Sequence, residues 1–128
     1  MKKKFLIVVA NYYKDISKGL LLSSKKLIPK GSKLKIIEVP GVFEIPMTIK
    51  KNIKRYDAFI ALGCVIKGQT PHFDFISQAS INAIMNLSID NKKPIGNGII
   101  TCLSFKQAKV RKKKGAEATK AVLSILSQ

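Results

Sequence analysis

The chain has 128 residues, the size of one domain, and a domain of that length buries enough apolar surface to fold without a disulfide or a metal. Hydrophobic residues make up 46%, which excludes a disordered chain, and no apolar run approaches the ~20 residues that span a bilayer. The net charge of +17 ordinarily points to a polyanion, yet lysines recur in almost every segment, so the charge reads as a composition bias and not as a nucleic-acid face.

The start, MKKKFLIVVANYY, imitates a signal peptide. Its apolar run, Phe5 to Ala10, is too short for an h-region and no small-residue cleavage site follows, so residues 4–10 are expected to form a buried strand. Ile16, Leu20 and Leu27 have helical spacing, predicting a helix over 15–28. KLKIIEV at 33–39 reads as a second strand, ended by Pro40-Gly41. Phe43 to Arg55 reads as a helix with Pro46 tolerated in its first turn. DAFIALG at 57–63 is a third strand. Residues 71–90 read as a helix, with Phe73, Ile76, Ala83 and Leu87 on one side. IGNGIIT at 95–101 is a fourth strand, and 104–110 and 115–126 are helical.

Strands alternating with helices imply a parallel sheet with right-handed crossovers in a single three-layer α/β domain, residues 1–128. Ligands of such sheets bind beyond the carboxyl ends of the strands, at a topological switch point. The segments to search are therefore 11–14, 40–44, 64–72 and 102–105.

The stretch ALGCVIKGQTPHFDFI, residues 61–76, carries the only histidine of the chain, His72. Thr70 is a good N-cap and Pro71 fits the first helical position. Gly68 lets the chain turn, so the amides of Gln69, Thr70 and the first helical turn form an anion site suited to phosphate. A helix start disfavours imidazolium, and a neutral His72 ring beside a phosphate is placed to move protons. A histidine that merely packs at a helix end is the plainer reading of the same residue. P-loop and GxGxxG patterns are absent. Cys64 follows a strand as a nucleophile-elbow residue would, but Val65-Ile66-Lys67 continues extended, against that role. Cys64 and Cys102 make no CxxC pair, and one histidine cannot complete a zinc site, so buried reduced thiols in a cytosolic protein are expected. Glu44 either complements a helix dipole or accepts hydrogen bonds from a polyol or amine ligand. Tyr12 or Tyr13 is suited to stack on a flat heterocycle. The two arginines, Arg55 and Arg111, stand out in so lysine-rich a chain as places where a planar fork matters.

VPGVFEIP at 39–46, ALGCVIKGQTPHFDFI, the GIIT…QA…R series and KKGAEA, in this order and spacing, resemble the lumazine synthase family over about residues 5–126. The resemblance implies a flavodoxin-like sandwich with a four-stranded parallel sheet. It implies condensation of 5-amino-6-(D-ribitylamino)uracil with 3,4-dihydroxy-2-butanone 4-phosphate in riboflavin synthesis, with no cofactor or metal. Tyr12 then matches the aromatic that stacks on the pyrimidine. Val42, Phe43 and Glu44 match the segment holding the ribityl chain and ring, and Cys64, Val65 and Ile66 the strand end that reads the ring edge. Gln69 and Thr70 match the phosphate loop, Arg111 the phosphate arginine and His72 the proton-transfer histidine. Lys114 matches a lysine near ring and phosphate, and Asn97 falls where the family usually has an aromatic from a neighbouring subunit. A cytoplasmic homo-pentamer or larger shell, with the site between subunits and no membrane or nucleic-acid partner, is implied. The sequence departs from the family at Asn97 and in the short Arg111–Lys114 connection. An assembly protein of the same fold without turnover and a basic nucleic-acid-binding module are the alternative functions.

Overall fold

A computed structural model describes residues 2–128. Strands β1 (Lys4–Ala10), β2 (Lys33–Val39), β3 (Ala58–Ile66) and β4 (Ile95–Cys102) form one all-parallel sheet in the order β2-β1-β3-β4. Helices α1 (Lys14–Lys25), α2 (Ile45–Lys51), α3 (His72–Asn91), α4 (Phe105–Lys109) and α5 (Lys114–Leu126) connect and cover it. The arrangement is the flavodoxin-like α/β sandwich expected from the sequence.

β1 is buried from Phe5 to Ala10 because it lies inside the sheet with helices on both faces. Alternate side chains sort between the faces. Phe5, Ile7 and Val9 join Ile60, Leu62, Ile16 and Leu20 of α1, and Ala118 and Val122 of α5. Leu6, Val8 and Ala10 join Phe59, Ala61, Ile45 and Ile49 of α2, and Ile84 of α3. β2, at one edge, is only partly covered and carries Lys33 and Lys35, which discourages pairing with another sheet.

Hydrogen bonds tie α1 to α5. The hydroxyls of Ser24 and Thr119 lie 2.7 Å apart, both buried, and the Ser23 hydroxyl donates to the Lys112 carbonyl at 2.6 Å. Gly115 permits the close approach: a Cβ there would stand 2.1 Å from the Leu20 carbonyl oxygen.

Several boundaries differ from expectation, each for a physical reason. α1 stops at Lys25, so Leu27 lies beyond it; the amides of Leu27 and Ile28 turn to the Ser24 and Lys25 carbonyls in a tighter turn ahead of Pro29. α2 is shorter at both ends. A 3₁₀ turn, Val42–Glu44, precedes it, and past its end the Lys93 ammonium takes the carbonyls of Ile53 and Tyr56 at 2.6 and 2.9 Å. β3 runs to Ile66 because Cys64, Val65 and Ile66 pair with Ile100, Thr101 and Cys102. On α3 the most deeply buried residues are Ser80 and Ile84, so the core face is centred one residue past Ala83.

Candidate active site

The chain runs from β1 outward to β2 and then crosses to β3 on the other side of β1. The strand order therefore reverses between β1 and β3, and the carboxyl ends of those strands flank a crevice. A cleft of about 290 Å³ occupies that position, lined by Tyr12, Tyr13, Gly41, Val42, Phe43, Cys64, Val65, Ile66, His72 and Ile76. Eight of the sequence-predicted residues thus share one cavity: Tyr12, Tyr13, Val42, Phe43, Cys64, Val65, Ile66 and His72.

The floor is apolar. Val42 is buried and packs over Gly63, where a Cβ would stand 2.7 Å from the Val42 methyl Cγ2. Phe43 points outward at 64% exposure, and Tyr12 at 74%. Glu44 is exposed and does not line the cleft, but a Cβ on Gly41, which does, would lie 3.2 Å from Glu44 Oε1. Its carboxylate therefore sits at the rim. The Tyr13 phenol is pushed up by burial first, then by Tyr12 and Cys64.

Cys64 is buried within β3, and its thiol is pushed up to about 12 by burial, with Cys102 beside it adding to the effect. Such a thiol is inert. Cys64 thus contributes a wall and its backbone. Among the described residues, no three His, Cys, Asp or Glu side chains gather as a metal centre requires.

The connection from β3 to α3 is pinned at its base, where the Lys67 amide donates to the Cys102 carbonyl at 2.9 Å. Beyond that Gly68, Gln69, Thr70 and Pro71 are exposed. The helix opens at His72, with Pro71 at the cap, one residue later than the sequence reading. Thr70 still makes the side-chain bond expected of a cap, its hydroxyl accepting the amide of His72 two residues on at 3.4 Å. Among the described residues, the amides of Gln69, Thr70, Phe73 and Asp74 find no acceptor within the chain. Gln69 and Thr70 lie next to the cleft in sequence but not on its wall.

Of the remaining predicted residues, Arg55 is exposed and lines neither cleft, and Asn97, Arg111 and Lys114 gather elsewhere. A second cleft, about 520 Å³, is lined by Asn97, Ile99, Ile100 and Thr101 of β4, Ile81 of α3, and Val110, Arg111, Lys113, Lys114 and Glu117. The Arg111 guanidinium donates through Nη1 to the Thr101 carbonyl at 3.4 Å. Asn97 turns its side-chain oxygen to the Ile99 amide at 3.1 Å. Lys114 and Glu117 share a face of α5, three residues apart, a spacing that marks Glu117 as a neighbour once Lys114 is singled out. Sequence reasoning missed Glu117, together with Ile76 and Gly41 in the first cleft. Among the described residues the two clefts have none in common, and His72 and Arg111 line different ones.

The family model for 6,7-dimethyl-8-ribityllumazine synthase matches residues 2–128. A curated 6,7-dimethyl-8-ribityllumazine synthase of Methylorubrum populi is 39% identical over 137 aligned positions, covering 97% of this chain and 81% of the relative. The 6,7-dimethyl-8-ribityllumazine synthase 1 of Rhodopseudomonas palustris is 41% identical over 136 positions, covering 96% and 83%. The enzyme of Zymomonas mobilis is 39% identical over 132 positions, covering 97% and 94%.

Proposed function

Because the chain belongs to the 6,7-dimethyl-8-ribityllumazine synthase family, we propose that its two clefts are halves of one active site, completed when the cleft of one copy meets that of the next. The protein is a lumazine synthase of riboflavin biosynthesis. In this reading it condenses 5-amino-6-(D-ribitylamino)uracil with 3,4-dihydroxy-2-butanone 4-phosphate, and phosphate and water leave.

The observation that carries the reading is the separation of the candidate residues into two clefts, each incomplete. The first offers an aromatic and apolar slot with His72 at its edge. Tyr12 stacks on the pyrimidine, Val42 and Phe43 hold the ring and ribityl chain, and the rim carboxylate of Glu44 accepts hydrogen bonds from it. Cys64, Val65 and Ile66 meet the ring edge with the backbone of the strand end. The free amides of Gln69 and Thr70 and of the first turn of α3 receive the phosphate, which the helix start favours. His72 then lies beside the reacting carbons and carries protons in imine formation, elimination and ring closure.

The second cleft contributes Arg111, Lys114 and Asn97 from the neighbouring copy. A planar guanidinium grips a phosphate through two parallel bonds and releases it as the leaving group, while Lys114 balances its charge. Much of the acceleration comes from holding two substrates together, which suits a site with few ionisable groups.

A row of exposed apolar side chains supports assembly. Phe43 and Met47 by α2, and Phe75, Met85 and Ile89 along α3, are each more than half exposed. Such a patch on neighbouring elements calls for a covering partner, and a second copy of the chain is the occupant in this reading. The assembly is a homo-pentamer or larger, in the cytoplasm, where both cysteines stay reduced. Among the described residues no helix is long and apolar enough to cross a membrane.

Mixing the two substrates with purified protein and following lumazine absorbance tests the function. A progress curve no steeper than the protein-free reaction overturns it and favours an assembly protein without turnover. Light scattering at the mass of a single chain overturns the shared site.

A further inference from the structure

The aromatic wall of the first cleft continues behind the residue assigned to stack on the substrate ring. The rings of Tyr12 and Tyr13 meet edge to face, centroids 4.9 Å apart and planes at 84°. Behind Tyr13, the ring of Phe105 on α4 lies 6.1 Å away at 60°. The Lys109 ammonium sits 5.1 Å from the Phe105 centroid and closes the series. The series runs from the exposed Tyr12, through the half-buried Tyr13, to a short helix at the end of β4.

Both platforms are held by hydrogen bonds to backbone groups. On the β1 side, the Asn11 amide donates to the Val39 carbonyl at 3.0 Å, the Ser17 amide to the Tyr13 carbonyl at 2.9 Å, and the Ser17 hydroxyl to the Ala10 carbonyl. On the α4 side, the Ser104 hydroxyl accepts the Gln107 amide at 3.2 Å, and Gln107 Oε1 accepts the Leu103 amide at 2.8 Å. This reciprocal capping fixes the start of a five-residue helix that would otherwise fray, and with it the position of Phe105. Among the described residues, none anchors Tyr12 in this way. An exposed ring loses rotamer freedom when a substrate stacks on it, which weakens binding. An edge contact already in place lowers that loss.

We propose that Tyr13 is a positioning residue: it holds the Tyr12 ring upright at the mouth of the cleft for the flat heterocyclic substrate, and Phe105 braces Tyr13 from α4. This inference rests on the assignment of Tyr12 to the pyrimidine substrate. It assigns α4 a role in recognising a molecule that α4 does not touch.

The test is steady-state kinetics with each substrate varied in turn, joined to calorimetric titration of the pyrimidine substrate alone. Tyr13→Ala raises the KM and the calorimetric Kd for the pyrimidine roughly three- to tenfold, the range of one lost aromatic pair. The KM for the butanone phosphate and kcat stay near the parent values. Tyr13→Phe keeps the ring edge and restores pyrimidine affinity. Phe105→Ala, at a partly exposed position, moves the same quantities in the same direction by less. Unchanged pyrimidine affinity in Tyr13→Ala and Phe105→Ala overturns the proposal, as does an equal rise in both KM values. Tyr13→Phe as weak as Tyr13→Ala also overturns it, by assigning the effect to the hydroxyl. A parent that binds the pyrimidine but does not turn over strikes the proposed reaction alone, and the titrations still decide the brace. A parent that does not bind the pyrimidine overturns both.

Discussion

Val65 on β3 and Thr101 on β4 are direct partners in the parallel ladder, yet they line different clefts. The carboxyl end of the β3–β4 pair is thus a ridge with a half-site on either side. Paired backbone therefore separates the two half-sites of one chain. In the proposed reading, a neighbouring copy supplies what each lacks.

That geometry makes complementation the most direct experiment. His72→Ala damages one half-site and Arg111→Ala the other. Each alone is expected to be nearly inactive. Co-expressed in equal amounts, they assemble mixed rings in which about a quarter of the interfaces pair an intact His72 with an intact Arg111. Activity recovers toward that fraction. Mixed assemblies no more active than the separate variants would place both residues in a site within one chain, or outside it.

His72→Ala is expected to slow turnover roughly 10²- to 10⁴-fold, the usual worth of a positioned acid–base group. The side chain is exposed and packs in neither core cluster, so the melting temperature should hardly move. Equal rates in variant and parent would remove the proton role. A fall in rate with a large fall in melting temperature would make the residue structural.

Much of this was legible in the sequence because local signals and tertiary structure agree. β1 and β2 have the bounds read from their apolar runs, since a strand buried on both faces and an edge strand each imprint a pattern on consecutive residues. The end of β3 was legible only in part: Val65-Ile66-Lys67 reads as extended, but nothing local shows that Cys64–Ile66 pair with Ile100–Cys102, some 36 residues away. The end of α2 likewise depends on Lys93, 40 residues distant from Ile53. The first cleft was readable because its residues follow strand ends in order. The distribution of Arg111 and Asn97 to a separate cavity was not, because no local pattern encodes which side of a strand pair a loop returns to.

Arg111→Lys should raise the KM for the phosphate-bearing substrate about tenfold, while the KM for the pyrimidine stays within about twofold. A lysine keeps the charge but loses the fork, and its shorter reach also gives up the tether from Nη1 to the Thr101 carbonyl. Unchanged phosphate-substrate kinetics would show that Arg111 acts only as a charge, or that the phosphate binds elsewhere.

Gly115→Ala tests the seam between α1 and α5. The added methyl would meet the Leu20 carbonyl and the Ser23 hydroxyl at 2.1 and 2.5 Å, so one helix must shift. Urea unfolding should show a loss of about 1–3 kcal/mol, the cost of overpacking a well-filled contact. The same substitution at Gly31 differs in cause: among the described residues no neighbour lies within 4 Å, but φ of +87° strains any side chain. Equal urea midpoints for Gly115→Ala and the parent would mean that the seam yields without strain.

The pH dependence of stability isolates the buried thiol. Cys64 is raised from 9.0 to about 12 in the folded chain by burial and by Cys102. Between those values the unfolded state has lost a proton that the folded state keeps. Unfolding therefore becomes more favourable as pH rises, by at most about 1.4 kcal/mol per pH unit. The contribution is fully present below pH 9 and is gone above about 12. Lysines titrate in the same range, so the measurement is the difference between parent and Cys64→Ala in urea unfolding from pH 8.5 to 10.5. The parent should lose stability more steeply, and at pH 8 its Cys64 should resist iodoacetamide until urea opens the core. Parallel slopes together with rapid alkylation of the folded chain would mean that the thiol is an accessible thiolate, and the case against a cysteine nucleophile would fail with it.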